Sequence, residues 1–283
     1  MNAASSHSTG PALLPPGEFA AASPPIARRF RAIWISDLHL GWRACQAERL
    51  LDFLKHHDAD QWYLVGDILD GWALKRSWNW PQSHNDVVQK LLRKVRKGSR
   101  VICIAGNHDE FLNDFARLSF GGILVLPDTL HETADERRLW VLHGDRFDSI
   151  VHYAPWLTVL GNNGYDFMIH IGNILNRLRR ALGFPEWSLS AFVKRRVKNI
   201  VKYIADFEHA LMREARRNGT DGVVCGHIHH AEIKEVDGLL YCNTGDWVES
   251  CTALVEHFDG RLEIIRWNGD TGTSLLPASA VAS

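Results

Sequence analysis

The stretch VICIAGNHDEF, residues Val101–Phe111, determines how this chain folds. A short apolar run ends at Gly106, and three polar residues, Asn107, His108 and Asp109, follow it at once. Polar groups that directly follow an apolar strand lie at its carboxyl end, which is where open α/β sheets bind their ligands. The stretch therefore predicts a buried strand whose end contributes to a functional site.

Four other segments repeat this pattern of an apolar strand followed by polar groups. They are IWISDLHL (Ile33–Leu40), WYLVGDILD (Trp62–Asp70), LWVLHGDRF (Leu139–Phe147) and GVVCGHIHH (Gly222–His230). We predict that the five strand ends converge on one site and that this site holds two metal ions.

The polar groups at the strand ends are of the kinds that bind transition metals. Asp37 and His39 are two residues apart, so on an extended chain both side chains point the same way and can reach one ion. His227 and His229 have the same spacing. The carboxylate of Asp67 has two oxygens and can bridge two cations. The candidate ligands are Asp37, His39, Asp67, Asn107, His143, His227 and His229. This mixture of carboxylate, amide oxygen and imidazole favours Mn²⁺, Fe, Co²⁺ or Zn²⁺ over Ca²⁺.

The composition limits the class of protein. The 283 residues suit one large domain or one domain with an insertion, and 46% hydrophobic residues are enough for a full core. The net charge of −1 gives no global attraction for nucleic acid or for an anionic membrane. Cys103 and Cys225 lie inside apolar strand runs, which predicts buried thiols in a reducing compartment. Neither a signal-peptide pattern nor an apolar stretch of about 18 residues is evident, so we expect a cytoplasmic protein.

The strand signals fall in two blocks that a helical segment separates. We predict a β-rich core formed by residues 29–148 and 218–270, with a helical cap insertion at residues 149–217. Residues 1–28 and 271–283 are predicted to be disordered tails outside the fold, because small and polar residues dominate them.

Between the strand ends of the first block, the spacing of apolar residues predicts helices at Ala44–His57 and Asn85–Lys97. A short helix is expected near Glu110–Leu118. The segment from Trp72 to Trp80 is rich in tryptophan, and we predict a loop there that lines the site or contributes to the core.

The order of the motifs resembles a known family. DLH, GDILD, GNHDE, HGD and GHIH are similar to the DxH, GDxxD, GNH(D/E), H and GHxH pattern of the calcineurin-like metallophosphoesterases. The match spans about residues 37–229 and implies an α/β fold, a sandwich of two β-sheets flanked by helices. It also implies two metal ions, the first bound by Asp37, His39, Asp67 and His229, and the second by Asp67, Asn107, His143 and His227, with Asp67 bridging.

The resemblance further implies a mechanism. Two metal ions would activate a water molecule for attack on phosphorus and would bind a phosphoryl oxygen. His108 would not be a ligand; it would face the substrate phosphate, where it would stabilise charge or protonate the leaving group. Asp70, Asp109 and Asp145 would orient His108 or a ligand histidine. For Asp109, a helix N-cap at the segment that starts at Glu110 is an equal alternative.

Within this family, the chain is most similar to UDP-2,3-diacylglucosamine diphosphatase and its relatives, through DLHLG, HDEFL, HGD and the helical insertion. This likeness implies hydrolysis of the diphosphate of UDP-2,3-diacylglucosamine, releasing UMP in lipid A synthesis. It also implies a preference for Mn²⁺ and peripheral contact with the cytoplasmic face of the inner membrane. Established members of that group tend to carry Arg at the position of His108, so the chain departs from them there.

The insertion has features that suit a lipid substrate. Val151–Leu160 and Phe167–Leu182 are largely apolar, and a basic run accompanies them. The candidate substrate-binding cations are Arg177, Arg180, Lys194, Arg195 and Lys198. Such a combination suits acyl chains and anionic headgroups. Helices packed on the core with a solvated basic face account for the same pattern equally well.

Three alternatives use the same motifs. The chain could hydrolyse another phosphate ester, such as a nucleotide, a phosphodiester or a phospholipid. It could be a scaffold that has lost catalysis, as in a retromer subunit of this superfamily, although such a scaffold should lack ligands that this chain has. A nuclease could use the basic insertion as a phosphate track. We expect no nucleic-acid partner, because no aromatic stacking platform is evident, and we identify no protein partner.

Overall fold

Two β-sheets face each other, and helices cover their outer surfaces. The structure is a computed structural model that describes residues 28–147, 189–269 and 273–277, with the backbone alone for residues 189–200 and 273–277. One sheet has eight strands and the other has five. This arrangement confirms the predicted α/β sandwich of two sheets flanked by helices.

The elements have the following bounds. The strands of the first half are Arg28–Ile35 (β1), His57–Val65 (β2), Arg100–Ile104 (β3), Ser119–Phe120 (β4), Ile123–Leu126 (β5), Thr129–Glu132 (β6) and Arg138–Val141 (β7). Those of the second half are Gly222–Cys225 (β8), Glu232–Val236 (β9), Leu239–Asn243 (β10), Thr252–Glu256 (β11), Leu262–Arg266 (β12) and Thr273–Pro277 (β13). The helices are Ala47–His56 (α1), Gly71–Arg76 (α2), Gln82–Arg96 (α3) and Leu189–Arg217 (α4), and 3-10 turns lie at Glu110–Phe115 and Asp145–Phe147.

The strand order brings the predicted strand ends together. The large sheet has the order β13-β12-β11-β1-β2-β3-β5-β4, and β1, β2, β3 and β5 run parallel. The small sheet has the order β6-β7-β8-β10-β9, with β7, β8 and β10 parallel. The carboxyl ends of β1, β2 and β3 therefore share one edge, and those of β7 and β8 share another.

Successive side chains of the central strands point to opposite faces of the large sheet, so this sheet contributes to two hydrophobic cores. In β2, Trp62 and Leu64 pack with the apolar faces of α1 and α3, whereas Tyr63 and Val65 face the other sheet. Trp34 of β1 stacks on Tyr63 at 5.3 Å between the ring centroids and belongs to the layer between the sheets. Because both faces are covered where these parallel strands pass through the core, the residues there, Ala32–Ile35, Trp62–Val65 and Val101–Ile104, are all apolar.

Several elements begin or end at different residues than predicted. Strand β1 starts at Arg28, and β2 starts directly after α1, at His57. The short helix expected near Glu110 is a 3-10 turn. The segment predicted as a tryptophan-rich loop contains α2, because the side chain of Asp70 accepts a hydrogen bond from the N–H of Ala73 at 2.7 Å and caps a short helix there.

Helix α4 fills the last part of the predicted insertion. Its side chains Phe207, Leu211 and Met212 pack against the small sheet. Residues 148–188 lie outside the described residues, so the boundaries of the insertion stay predictions. No helix in the described part of the chain is both long enough and apolar enough to span a membrane.

The predicted C-terminal tail is wrong in one part. Residues Thr273–Pro277 form an edge strand that pairs antiparallel with β12. A five-residue edge strand that contains Ser and Pro has a composition close to that of a tail, which is why composition alone did not identify it.

Candidate metal centre

The polar residues that follow the strands turn toward one another because their backbone is left-handed. The φ angles are 53° for Asp37, 50° for His39, 52° for Asp67, 69° for His227 and 55° for His229. Non-glycine residues seldom adopt this conformation, which costs on the order of 1–3 kcal/mol each where the surroundings impose it. The extended geometry expected for the DxH and HxH pairs is therefore wrong, although Asp37 and His39 do share a site.

Backbone hydrogen bonds hold the first two of these loops together. The N–H of Asp37 donates to the carbonyl of Gly66 at 3.0 Å, and the N–H of His39 donates to the carbonyl of Asp67 at 2.9 Å. Because these bonds continue the β1–β2 pairing beyond the strand ends, the two loops cannot move independently. The positions of Asp37 and Asp67 are therefore coupled by main-chain contacts.

The third loop is attached through Asp109. Its carboxylate accepts hydrogen bonds from the N–H of Gly106 at 2.6 Å, of Ile68 at 2.8 Å and of Leu69 at 3.1 Å. It makes no cap bond to the 3-10 turn that begins at Glu110, so the N-cap alternative is wrong. Asp109 thus orients the loop after β3 relative to the loop after β2, and it bonds to backbone N–H groups rather than to a histidine ring.

In Asp37 and Asp67, one carboxylate oxygen accepts hydrogen bonds from neighbouring groups, and the other faces the candidate ligand histidines. Oδ2 of Asp37 accepts hydrogen bonds from the hydroxyl of Ser36 and from the N–H of His227. Oδ1 of Asp37 is buried without a hydrogen-bond partner and lies 3.1 Å from Nε2 of His229. The two atoms are close without the alignment of a hydrogen bond, as expected where both face a shared cation.

Asp67 shows the same division of roles. Its Oδ1 accepts the N–H of His108 at 2.8 Å. Its Oδ2 lies 3.5 Å from Nε2 of His143 and 3.8 Å from Nε2 of His39. A single carboxylate oxygen is therefore placed between two imidazoles that come from different strand ends.

Two of the candidate ligand histidines have a partner at Nδ1 and none at Nε2. Nδ1 of His143 donates to the carbonyl of Val65 at 2.9 Å, and Nδ1 of His39 lies 3.2 Å from Oδ2 of Asp70. In both rings Nε2 is buried and has no hydrogen-bond partner. Partners at Nδ1 fix the orientation of metal-binding histidines in this way.

The buried atoms without partners are of the right kind to bind cations. They include Asp37 Oδ1, His39 Nε2, Asn107 Oδ1 and His143 Nε2. Buried polar atoms in folded proteins nearly always have a hydrogen-bond partner, so such a group needs an explanation. Three sets of residues could each hold an ion, with ligand atoms within 4.8 Å of one another: Asp37, His39 and His229; Asp37, Asp67 and His143; and His39, Asp67 and His108. The residues at this centre therefore fit divalent metal ions.

The electrostatics of the centre favour positive charge. Burial by itself lowers the pKa of His143, but the carboxylates of Asp67 and Asp37 outweigh burial and raise this pKa to about 10. Burial likewise lowers the pKa of His229, and contact with Asp37 raises it to about 9 overall. Without metal, the centre thus holds protons that a divalent cation must displace.

His108 is more exposed than the candidate ligands His39 and His143. Its Nδ1 is buried and lies 3.1 Å from Oδ1 of Asp70, whereas 23% of its side chain is exposed to solvent. The ring of Trp72 lies over it, with 4.1 Å between centroids. Trp72 is 52% exposed, so it is a surface residue beside His108 and the core alternative for it is wrong.

Three strand-end glycines make room for the ligands. A Cβ at Gly66 would lie 2.2 Å from the ring of His143, and one at Gly106 would lie 2.2 Å from Oδ1 of Asp67. A Cβ at Gly226 would lie 2.5 Å from Oδ2 of Asp37. The GD, GNH and GHxH motifs therefore have glycine at these positions because any larger residue would overlap a neighbouring side chain of the centre.

Sequence reasoning missed the residues behind Asp37. The hydroxyl oxygen of Ser36 lies 2.6 Å from Oγ1 of Thr244 and 2.9 Å from the carbonyl oxygen of Gly245. The N–H of Trp247 donates to the carbonyl of Asp37 at 3.1 Å. Strand β10 ends just before these residues, so the pattern of an apolar strand followed by polar groups could have identified a sixth strand end.

The remaining predicted site residues stay predictions. Arg177 and Arg180 lie outside the described residues, and the side chains of Lys194, Arg195 and Lys198 in α4 are not described. Asp145 opens a 3-10 turn, and its charge contributes to the raised pKa of His143.

The fold and the centre define a class of protein, and comparison with known proteins agrees with it. The profile of the calcineurin-like phosphoesterases matches residues 30–231. The chain belongs to this family and is a metal-dependent hydrolase of phosphoric esters, as its motifs predicted.

Two curated relatives are named UDP-2,3-diacylglucosamine hydrolase, from Neisseria meningitidis serogroups B and C. Each is 27% identical over 237 residues, which cover 76% of this chain and 89% of the relative. Among solved structures, the phosphoesterase Yfce from E. coli is 15% identical, with a TM-score of 0.44 and coverage of 86% of this chain and 97% of that one. A Vps29 from Entamoeba histolytica complexed with zinc is also 15% identical, with a TM-score of 0.42 and coverage of 86% and 96%.

Proposed function

We propose that this chain hydrolyses the diphosphate of UDP-2,3-diacylglucosamine and releases UMP, with two Mn²⁺ ions at the centre. The observation that carries the proposal is the similarity to two hydrolases named for that substrate, over 89% of their length. The order of the strand-end motifs agrees with it. Hydrolysis of another nucleotide, phospholipid or phosphodiester is the alternative that the same centre allows.

The proposed ligands divide into two sets that share one carboxylate. The first set is Asp37, His39, Asp67 and His229, and the second is Asp67, Asn107, His143 and His227. The position of Asp67 Oδ2 between Nε2 of His39 and Nε2 of His143 supports the bridging role. When bound, the two ions would supply an activated water molecule and positive charge beside the phosphoryl oxygens.

His108 is the proposed catalytic side chain. Nδ1 is held beside Asp70 and the side chain is 23% exposed, so we propose that Nε2 is the nitrogen that meets the substrate phosphate. Burial lowers the pKa of His108, but Asp70 and Asp67 raise it overall, which favours a proton on the ring. Nε2 can therefore donate to a phosphoryl oxygen or to the leaving oxygen.

Exposed aromatic side chains support a substrate with an apolar part. Trp72 is 52% exposed and covers His108, and Phe111, which is 41% exposed, lies against the start of α2. Phe115 and Phe120 pack edge to face nearby at 5.6 Å and are also exposed. Such a surface suits acyl chains and peripheral contact with the inner membrane, which we propose on its cytoplasmic side.

A substrate panel tests the proposal. Purified protein with Mn²⁺ is assayed against UDP-2,3-diacylglucosamine, UDP-glucose, a nucleotide diester and a phosphomonoester, with products followed by phosphorus NMR. We expect UMP from the diacylated substrate and at least about tenfold lower kcat/KM on the others. Strong hydrolysis of another ester, with none of the diacylated sugar nucleotide, would refute the substrate while leaving the hydrolase class intact.

Two alanine variants, one at His108 and one at a control histidine, test the role of His108. His108→Ala is expected to keep its metal content and to lose on the order of 10²–10⁴-fold in turnover. His230→Ala, whose side chain is 59% exposed, is the matched control and should keep both. Loss of metal from His108→Ala would show that the residue is a ligand instead.

A further inference from the structure

Outside the metal centre, a cavity of about 390 Å³ lies between the starts of α1 and α3. Its polar lining is rich in cations and hydrogen-bond donors, with Arg43, Arg49, Asn79 and Ser83 on its walls and Glu48 as its one carboxylate. In the described part of the chain, neither arginine pairs with a carboxylate, and Arg49 makes only a long contact of 4.0 Å from Nη1 to Sγ of Cys251. Two guanidinium groups are therefore available to an acidic ligand.

A buried histidine adds a donor that the protein does not use. His84 lines the cavity and is 3% exposed. The N–H of Gly41 donates to its Nδ1 at 2.9 Å, so the neutral ring carries its proton on Nε2. Burial lowers the pKa of His84 and favours this neutral form. In the described part of the chain, the hydrogen bond that the His84 ring makes is the one at Nδ1, so Nε2–H is available to a ligand in the cavity that the ring lines.

The N-termini of α1 and α3 also favour an anion in the cavity. Both α1, with 10 residues, and α3, with 15 residues, place their first turns at the cavity. Neither helix start is capped by a side chain. An uncapped helix start presents free N–H groups and partial positive charge, which strengthens the attraction of the arginines and of His84 for an anion.

We propose that this cavity binds an oxyanion, specifically the phosphoryl group of a small molecule. Arginine forks and N–H donors match the geometry of phosphate oxygens, and Ser83 offers a hydroxyl donor. The volume is that of a small-molecule site and exceeds what a free phosphate ion needs, so the favoured occupant is a phosphorylated metabolite. The cavity is separate from the metal centre but is linked to the loop after β1, because Nδ1 of His84 accepts the N–H of Gly41, two residues beyond His39.

The test follows the Nε2–H signal of His84 by NMR in the full chain loaded with Zn²⁺, which is diamagnetic and leaves the signal sharp. Inorganic phosphate and uridine 5′-monophosphate are titrated separately, and uridine serves as the uncharged control. His84→Asn assigns the signal, since Asn can still accept the N–H of Gly41 but has no Nε2. We expect a saturable shift with both anions and none with uridine; tighter binding of the nucleotide would point to a phosphorylated metabolite, and equal binding to free phosphate.

Variants at the arginines complete the test. Arg43→Gln combined with Arg49→Gln is expected to weaken binding by at least about tenfold. Arg93→Gln, an exposed arginine of α3 away from the cavity, should change nothing. No saturable shift, a shift with uridine, or equal weakening in the control would overturn the proposal. Competitive inhibition of the hydrolase by phosphate should be unchanged in the double variant, so this result is independent of which ester the metal centre cleaves.

Discussion

Replacing Asp109 tests the idea that one buried carboxylate fixes the loops of the metal centre. The residue is fully buried and its oxygens accept three backbone N–H groups, those of Gly106, Ile68 and Leu69. A buried N–H left without an acceptor costs about 1–3 kcal/mol, so Asp109→Ala should lower the free energy of unfolding by about 3 kcal/mol or more. Asp109→Asn keeps one oxygen and should cost about 1–3 kcal/mol.

The assay is urea unfolding of the metal-free protein, followed by circular dichroism. Asp114→Ala, at an exposed aspartate in the neighbouring 3-10 turn, is the matched control and should stay within about 0.5 kcal/mol of the parent. We also expect weaker metal binding in Asp109→Ala, because the loop that carries Asn107 loses its attachment. An Asp109→Ala protein as stable as the control would refute the argument that these bonds hold the loops.

Three further predictions follow from single contacts. Gly106→Ala should abolish metal binding measured by calorimetry, because its Cβ would lie 2.2 Å from Oδ1 of Asp67; normal affinity would contradict the steric argument. Asp70→Asn should lower turnover about 10–100-fold, since its carboxylate contacts both His39 and His108; parent-like kinetics would show that it orients neither. Burial lowers the pKa of His57 from 6.5 to about 4, so as the pH falls the unfolded chain takes up this proton before the folded protein does. The folded state therefore loses roughly 3 kcal/mol of stability between pH 6.5 and pH 4. His57→Gln should flatten the dependence of the urea midpoint on pH in this range, and an unchanged slope would argue against the prediction.

The residues that meet at the centre could be predicted because a simple rule places them. Asp67, Asn107 and His143 each follow a short apolar strand, and in each of the two sheets the parallel strands bring their carboxyl ends to one edge. The same rule would have identified the residues after β10, where Thr244 supports Ser36. Periodicity reveals the strand and the point where it ends, and that was enough to name the candidate ligands.

The local geometry of the centre could not be predicted in the same way. Nothing in the letters of DLH indicates that Asp37 and His39 adopt left-handed backbone, because that conformation is imposed by bonds to Gly66 and Asp67 about 30 residues away. Asp109 illustrates the same limit. Its position before Glu110 suggested a helix cap, whereas two of its three N–H partners, Ile68 and Leu69, lie about 40 residues earlier in the chain. Contacts between distant residues decide these roles, and local spacing carries no information about them.

Because the candidate ligands are divided between the two sheets, metal binding during synthesis should depend on how much of the chain has left the ribosome. The loops of the large sheet supply Asp37, His39, Asp67 and Asn107, while those of the small sheet supply the three later histidines, the last of which is His229. A nascent chain that has emerged only as far as Asn107 can offer just the first four. Metal capture by chains stalled at successive lengths should therefore rise in two steps, and the second step should mark the moment when the small sheet closes onto the large one.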